Sequence, residues 1–363
     1  MHTRTRETGC HVMAGNPAEG FDVEGVERWI AEHIPQLVPP LTWRRLAGGH
    51  SNLTYRLESA NGEQAVIRRP PLGTLLPKAH DMSREWALIS ALRETGVPVP
   101  KALGFCDDLN VIGVHFYVMQ FIEGRPLYTI SDTVEWVPEG QQETLAHSFI
   151  DTLADLHSLD PDQLGLGMFG KKTDYIARQV RTWYRSWTAS CEPARFDDPR
   201  AHQLQAYFLA NIPEQGSARI VHGDFGLHNC LIGEQSSVVA VLDWEMSTLG
   251  DPLADLAYAL NPWPDPQEPV VIVKDAATRA SGMPNRRALA ARYAERTGRD
   301  LRNLHYYEGF NFWKSAAIMH GVYARYISGQ KSAEGQDLDD WRTRIKDCLT
   351  AAVHAVDAHN AGF

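Results

Sequence analysis

In the segment ARIVHGDFGLHNCLIG, residues 218–233, His222-Gly223-Asp224 is followed five positions after the aspartate by Asn229. Fourteen residues further on comes Asp243, in the apolar frame VVAVLDWE. Oxygen-bearing side chains on glycine-containing loops between short apolar runs suit phosphoryl transfer from ATP. That reaction needs one carboxylate to orient the attacking hydroxyl and accept its proton, and hard oxygen ligands to fix Mg2+ against the phosphates. Asp224 suits the first role, and Asn229 and Asp243 suit the second. Asp and Asn also build turns and cap helices for purely structural reasons. Their joint occurrence with Glu245 and the turn Gly250–Asp255 (GDPLAD) favours chemistry over architecture. His222 reads as an orienting residue whose ring bonds backbone near the loop, because Asp224 already takes the proton; His228 carries less weight. His222, His228 and Cys230 have the atom types of a zinc site, but their spacing matches no familiar zinc motif and phosphate chemistry prefers oxygen ligands.

A second constellation lies upstream. Gly48-Gly49-His50-Ser51-Asn52 separates two β-prone runs, where small residues let backbone N–H groups approach phosphates. Any β-hairpin could carry such a turn, so it gains meaning only beside the other motifs. The next run, AVIRRP, puts Arg68 where the corresponding protein-kinase strand ends in lysine. Arginine keeps the charge and adds a planar fork, with different reach and stricter geometry toward phosphate oxygens. Glu85, seventeen residues later on a helix, is the expected ion-pair partner of Arg68. Lys78, in the intervening loop, is a further candidate for phosphate or substrate contact, although an isolated loop lysine is usually just solvated. The run Met119, Gln120, Phe121, Ile122 reads as a hinge whose backbone groups bind the adenine edge, with the Met119 side chain as apolar packing. The five-residue Asp224–Asn229 spacing, with a second aspartate on the following β turn, is also that of the protein-kinase catalytic loop.

Together HGDFGLHN, LDWEMSTLGDPLADLA and GGHSNLTYRL resemble the aminoglycoside phosphotransferase and choline kinase group of small-molecule kinases, over about residues 40–330. Within that group, RRPPLGTLLPKAHDMSREW and VIGVHFYVMQFIEGR are most similar to kinase-like domains fused to, or found alongside, certain acyl-CoA dehydrogenases. The resemblance implies a bilobal protein-kinase-like fold with ATP in its cleft and transfer of the terminal phosphate to a hydroxyl of a small molecule. It also implies that the GDPLAD turn supports the metal-binding loop, so that Asp251 acts behind the metal ligands. Arginine at the Arg68 position is shared by several relatives in the group.

These residues need a scaffold, and its elements are legible. Asp22 opens a short amphipathic helix in which Val23, Val26, Trp29, Ile30 and Ile34 recur at helical spacing. WRRL, NLTYRL and QAVIRR form three strands of an antiparallel meander. Ser83 is placed to cap the helix EWALISALRETG, with Trp86, Ile89 and Leu92 inward. KALGFC and VHFYVMQFI complete a five-stranded sheet, and Glu123-Gly124 breaks the pattern. The expected fold class is therefore α+β: a flexible tail over 1–20, a small lobe over 21–122 with a five-stranded antiparallel sheet and one helix in it, and a larger, mainly helical lobe over 123–363. Helical periodicity marks 141–158, 173–190, 199–211, 285–297, 303–328 and 336–357, with short strands and polar loops in 218–250.

Composition limits the partners. The 363 residues hold 44% hydrophobic and 22% charged side chains, in the range of globular chains, and length suggests two domains or two lobes. A formal charge of −10 opposes general attraction to nucleic acid or anionic lipid. Five scattered cysteines, Cys10, Cys106, Cys191, Cys230 and Cys348, fit reduced, buried thiols. With no long apolar run and no apolar leader segment, a cytoplasmic location is expected, with no membrane, nucleic-acid or obligate protein partner. The acceptor is less legible. Trp183, Tyr184 and Trp187, and Tyr306, Tyr307, Phe310, Phe312 and Trp313 near Glu308, read first as core packing; lining a cleft, they would favour an acyl or aromatic alcohol. The acidic run Asp337-Leu338-Asp339-Asp340 would instead suit an aminoglycoside, although charge runs usually face solvent. A hydroxyacyl or hydroxyacid kinase, and a nucleotide-binding pseudokinase suggested by Arg68, stand beside the aminoglycoside-type reading. A protein kinase is disfavoured, because no A-P-E tripeptide follows Asp243.

Overall fold

The computed structural model describes residues 18–46, 52–73 and 81–362. Gly48, Gly49, His50 and Ser51 of the glycine turn, Lys78, Cys10 and the first seventeen residues of the expected tail lie outside the described residues. The chain divides into two compact units. The smaller runs to Glu123 and also takes in Ala240–Glu245; the larger comprises Gly124–Val239 and everything from Met246.

The smaller unit contains α1 (Val23–His33), β1 (Thr42–Arg45), β2 (Leu53–Glu58), β3 (Gln64–Arg69), α2 (Met82–Leu92), β4 (Ala102–Cys106), α3 (Leu109–Ile112) and β5 (Phe116–Gln120). The strands form one antiparallel sheet in the order β1-β2-β3-β5-β4. Period-two burial in β2 sends Leu53, Tyr55 and Leu57 into a core shared with Val26, Trp29 and Ile30 of α1 and with Phe116. The Asp22 carboxylate caps α1 through Gly25 N at 3.3 Å. The cap of α2 corrects the sequence expectation. It is Asp81, which accepts from Ser83 N at 3.0 Å and Ser83 Oγ at 2.5 Å. Ser83 is thus inside the helix, and the phase of the buried stripe is Met82, Glu85, Leu88, Ile89 and Leu92. Trp86 is only half-buried, its ring 5.8 Å from that of Phe105, and Glu85 takes the inward place instead. A charged group on the buried face of a helix needs partners, and the site below supplies them.

The larger unit contains α4 (Ile130–Trp136), α5 (Gln142–Ser158), α6 (Tyr175–Ala194), α7 (Pro199–Ala210), β6 (Arg219–Val221), β7 (Cys230–Ile232), β8 (Val238–Val241, whose last residues belong to the smaller unit), β9 (Thr248–Gly250), α8 (Pro252–Leu260), α9 (Arg286–Thr297), α10 (Leu304–Ile327) and α11 (Leu338–Asn360). β6 pairs with β9 and β7 with β8, making two small ladders that carry the polar loops. Trp187, Tyr306, Tyr307, Phe310 and Trp313 are buried in one core with Phe208 and Leu349, so most of the aromatic stripes are packing. Asp337 caps α11 by accepting from Asp339 N and Asp340 N, both at 3.0 Å, so the acidic run is a helix start on the surface. Cys106, Cys230 and Cys348 are buried and Cys191 is half-buried, all as free thiols. Among the described residues no helix is long and apolar enough to cross a membrane.

Candidate active site

In the smaller unit, five expected site residues, Asn52, Arg68, Glu85, Asp243 and Glu245, meet in one cluster beside β3, β5 and α2. Arg68, near the end of β3, faces Tyr117 across the β3–β5 register. Its Nε lies 3.4 Å from Glu85 Oε2 and its Nη2 2.5 Å from Asp243 Oδ1. The Tyr117 hydroxyl donates to Glu85 Oε2 at 2.8 Å, and Asn52 Nδ2 lies 3.3 Å from both Glu85 Oε1 and Glu245 Oε2. Burial works against the Arg68 charge, but Tyr117, Glu85 and Asp243 more than offset it, so the guanidinium is held firmly protonated. Burial pushes the Glu85 carboxyl up, against the pull of Arg68 and Tyr117. Asp243 reaches the cluster because the chain leaves β8 sharply. Val241 N donates to Pro98 O at 2.8 Å, the buried Trp244 indole donates to Val241 O at 3.1 Å, and Asp243 itself adopts a left-handed φ of 63°. Aspartate tolerates that conformation better than most side chains, and such residues cluster where function fixes the backbone. Met119 and Gln120 end β5, paired with Val66 and Ala65, and the Gln120 amide donates to Lys101 O at 2.8 Å. Ile122 follows the strand in irregular backbone.

In the larger unit the loop after β6 carries the second group. Asn229 Nδ2 donates to Asp224 O at 2.9 Å and to Asp224 Oδ2 at 3.1 Å. The Tyr258 hydroxyl donates to Asp224 Oδ1, and His228 Nε2 lies 3.5 Å from the same oxygen. Burial opposes the Asp224 charge, but His228, Tyr258 and His222 outweigh it and bring the pKa down to about 2. Tyr258, pushed far up by burial and by Asp224, remains a donor. The buried His222 accepts the Asp224 amide on Nδ1 at 3.3 Å.

The loop backbone is fixed from below. Asp255, in the first turn of α8, accepts from His222 N at 2.6 Å and Gly223 N at 2.9 Å. His157 Nε2 lies 3.3 Å from the same carboxylate, while its Nδ1 meets the Tyr293 hydroxyl at 2.8 Å. Gly223 has φ 85°, and a Cβ there would lie 2.9 Å from Met246 O, so only glycine fits this turn. Asp251 caps α8 through Leu253 N at 3.0 Å and accepts from the Tyr307 hydroxyl at 2.7 Å. The side chain that touches the loop is therefore Asp255, one helical turn beyond the cap.

Sequence reasoning did not single out Tyr117, Tyr258, His157 or Lys314. Tyr258 follows Asp255 by three residues in LADLAY, a helical spacing that puts both on one face of α8. Lys314, only 6% exposed, has Nζ 5.0 Å from the Tyr258 ring centre and 5.8 Å from that of Trp183; burial lowers its pKa. Cys230 is buried in β7 and desolvation pushes its thiol up, which opposes the thiolate that zinc would require. Tyr258 and His228 also line a cavity of about 450 Å³ within the larger unit, beside Phe225, Leu227 and Phe312.

Residues 42–292 match the family described as the phosphotransferase enzyme family. Acyl-CoA dehydrogenase family member 11 of Rattus norvegicus is 36% identical over 329 residues, which are 88% of this chain and 41% of that protein. The chain thus spans less than half the length of this relative. A structure from Ralstonia eutropha JMP134, provisionally assigned as an aminoglycoside phosphotransferase, matches with a TM-score of 0.78 at 28% identity, covering 93% of this chain and 99% of that one. The ADP-bound aminoglycoside phosphotransferase APH(2'')-Ib shares the fold, with a TM-score of 0.57 at 15% identity over 92% and 99% of the two chains. The α+β, protein-kinase-like architecture expected from the motifs is the one found. With more than half its length matched, the chain belongs to the phosphotransferase enzyme family.

Proposed function

We propose that the chain is an ATP- and Mg2+-dependent phosphotransferase that moves the γ-phosphate of ATP to a hydroxyl of a small molecule. The observation that carries this reading is Asp224: an ionised carboxylate on a glycine-fixed loop, gripped by Asn229 and Tyr258, with Tyr258 and His228 lining a cavity large enough for a small acceptor. A carboxylate of pKa about 2 is a weak base. Its task is to orient the hydroxyl and to take the proton late, as the new O–P bond forms and the bond to the ADP oxygen breaks. Asn229 and Asp243 would each offer magnesium a hard oxygen, and Arg68, braced by Glu85, would be the phosphate-facing cation. Bound magnesium would neutralise charge on the phosphates.

Within this reading the cavity favours an acceptor with an apolar body over a polycation. Its wall includes Phe149, Phe225, Val270, Ile272 and Met319, and arginines 279, 286, 287 and 344 accompany its acidic groups. A hydroxyacyl or hydroxyacid acceptor fits that chemistry better than an aminoglycoside. A coupled ADP-release screen with aminoglycosides, hydroxyacids, hydroxyacyl thioesters and simple alcohols tests it: phosphorylated product is expected from the apolar classes. Product from aminoglycosides alone would reverse the acceptor assignment, and nucleotide binding with no product in any class would favour the pseudokinase.

Arg68 offers a separate test. Its Nε and Nη2 serve two different carboxylates, which the single ammonium of a lysine cannot reproduce. Arg68→Met is expected to raise KM for ATP by about tenfold or more, as loss of one charged contact does. Arg68→Lys should recover only part of that loss. Unchanged KM in both variants, measured at saturating acceptor, would remove Arg68 from the nucleotide site.

A further inference from the structure

One buried cation of the larger unit has no counter-ion. Lys314 lies on α10, and its Nζ faces the Tyr258 ring of α8 at 5.0 Å and the Trp183 ring of α6 at 5.8 Å. The residue is 94% enclosed, yet among the described residues no hydrogen-bond acceptor or carboxylate is paired with its ammonium. Other buried charges of this unit are matched: Asp255 lies 3.3 Å from His157, and Arg286 lies 3.7 Å from Glu308. The two ring faces favour a cation, but an ammonium carries three N–H donors that seek lone pairs. The Nζ is not sealed in. Unlike the enclosed unpaired atoms of Asn261 and Trp263, it keeps contact with solvent, beside a half-buried Trp183 and a half-buried Tyr258. The same Tyr258 gives its hydroxyl to Asp224, whose side chain is one-third exposed. A single side chain thus joins the carboxylate of the catalytic loop to an open, uncompensated positive charge.

We propose that Lys314 determines acceptor specificity by binding a carboxylate of the acceptor, so that the substrate is a free hydroxy acid rather than its thioester. A neutral acceptor would leave the buried ammonium unpaired, and a polycation would be repelled by it. A doubly charged phosphate would bring a second negative charge toward Asp224 and Asp255, which already act on Lys314. A carboxylate cancels the ammonium charge one for one and accepts its N–H groups on two oxygens. Lys314 is not part of the mainly apolar cavity wall, whereas Tyr258 is. The two features therefore address different parts of one acceptor, its apolar body along the cavity and its acid group at the ammonium, with the hydroxyl at Asp224.

The proposal rests on the phosphotransferase reading for its reaction but not for its binding, which can be measured alone. Calorimetry without nucleotide, on the full chain, would compare hydroxyoctanoates, with the hydroxyl at successive carbons, with their primary amides, which keep the shape and lose the charge. At least one acid is expected to bind wild type about tenfold or more tightly than its amide, the effect of a hydrogen-bonded charge. Lys314→Met and Lys314→Gln should each cut that preference to about threefold or less. The melting temperature should not fall, because both changes remove a buried charge that has no partner in the protein. Equal binding of acids and amides by wild type, binding of neither, or the full preference surviving in a folded variant would overturn the proposal. So would failure of both variants to fold, which would make the ammonium structural. A loss of ATP affinity in place of the acid preference would make Lys314 a phosphate ligand and overturn it as well. An acid preference without ADP release from any hydroxy acid would sink the phosphotransferase reading alone; ADP release from acids and amides alike, without the preference, would sink only this one.

Discussion

Replacing Asp224 with alanine is expected to lower kcat for phosphoryl transfer by about 10²–10⁴-fold, the range for loss of a positioned general base, with little change in ATP affinity. The carboxylate carries the acceptor side of the chemistry, whereas Arg68, Glu85 and Asp243 form their own hydrogen-bonded cluster in the smaller unit. The variant should also stay folded. Asp224 is one-third exposed, and the donors that lose it are not all stranded: Asn229 Nδ2 keeps the Asp224 main-chain oxygen at 2.9 Å. Tyr258→Phe is the informative companion. It removes one donor to Asp224 while leaving the carboxylate, so its loss in kcat should be smaller than that of Asp224→Ala. The measurement is steady-state ADP release with an accepted alcohol, alongside calorimetric ATP binding. Full turnover by the alanine variant would remove Asp224 from the reaction, and equal losses in both variants would make the tyrosine, rather than the carboxylate, the group that matters.

Much of this site was legible in the sequence because its residues sit in short, polar, glycine-bearing runs between apolar strands, where types and spacing are constrained together. Asp224, Asn229 and Asp243 stood out on that basis, whereas Arg68, at the end of an apolar strand, and Glu85, on a helix, stood out through the comparison with the protein-kinase lysine and its ion-pair partner. The long helices were legible for the complementary reason, since sustained 3.6-residue periodicity is a strong signal. What escaped was local competition and distant contact. Ser83 and Asp81 both suit an N-cap, and the charged aspartate, two residues earlier, takes the role and shifts the buried stripe of α2 from Trp86 to Glu85. Tyr117 and Tyr258 are ordinary aromatics by pattern, and only the pairing of β3 with β5, or the packing of α8 under the loop, gives their hydroxyls a carboxylate to serve. The unpaired ammonium of Lys314 has no sequence signature at all, because being unsatisfied is a property of three-dimensional surroundings.

Asp255→Ala should damage stability and catalysis together. The carboxylate is buried and accepts from two consecutive backbone amides, His222 N at 2.6 Å and Gly223 N at 2.9 Å, with His157 Nε2 3.3 Å away. Although burial opposes its charge, His157, His222 and the Gly223 amide more than compensate, and its pKa lies below the ordinary carboxylate value. Ionised Asp255 therefore contributes stability that is fully present above about pH 4, the unfolded value, and is lost as the pH falls through the lower folded pKa. Alanine leaves two amides without their acceptor and a histidine without its partner, at a cost of about 3–5 kcal/mol. The amides belong to the residues just before Asp224, and the turn they form depends on a glycine at φ 85° with no space for a Cβ. Loosening that turn misplaces the carboxylate, so kcat should fall even at temperatures where the variant is folded. Asp255→Asn should rescue little, because its amide nitrogen would turn a donor toward an N–H. Denaturant unfolding and kcat, measured together, separate this from a purely catalytic effect: Asp224→Ala moves kcat alone, and Asp255→Ala moves both. An Asp255→Ala variant with wild-type stability would mean that the loop holds its shape without this buried clasp.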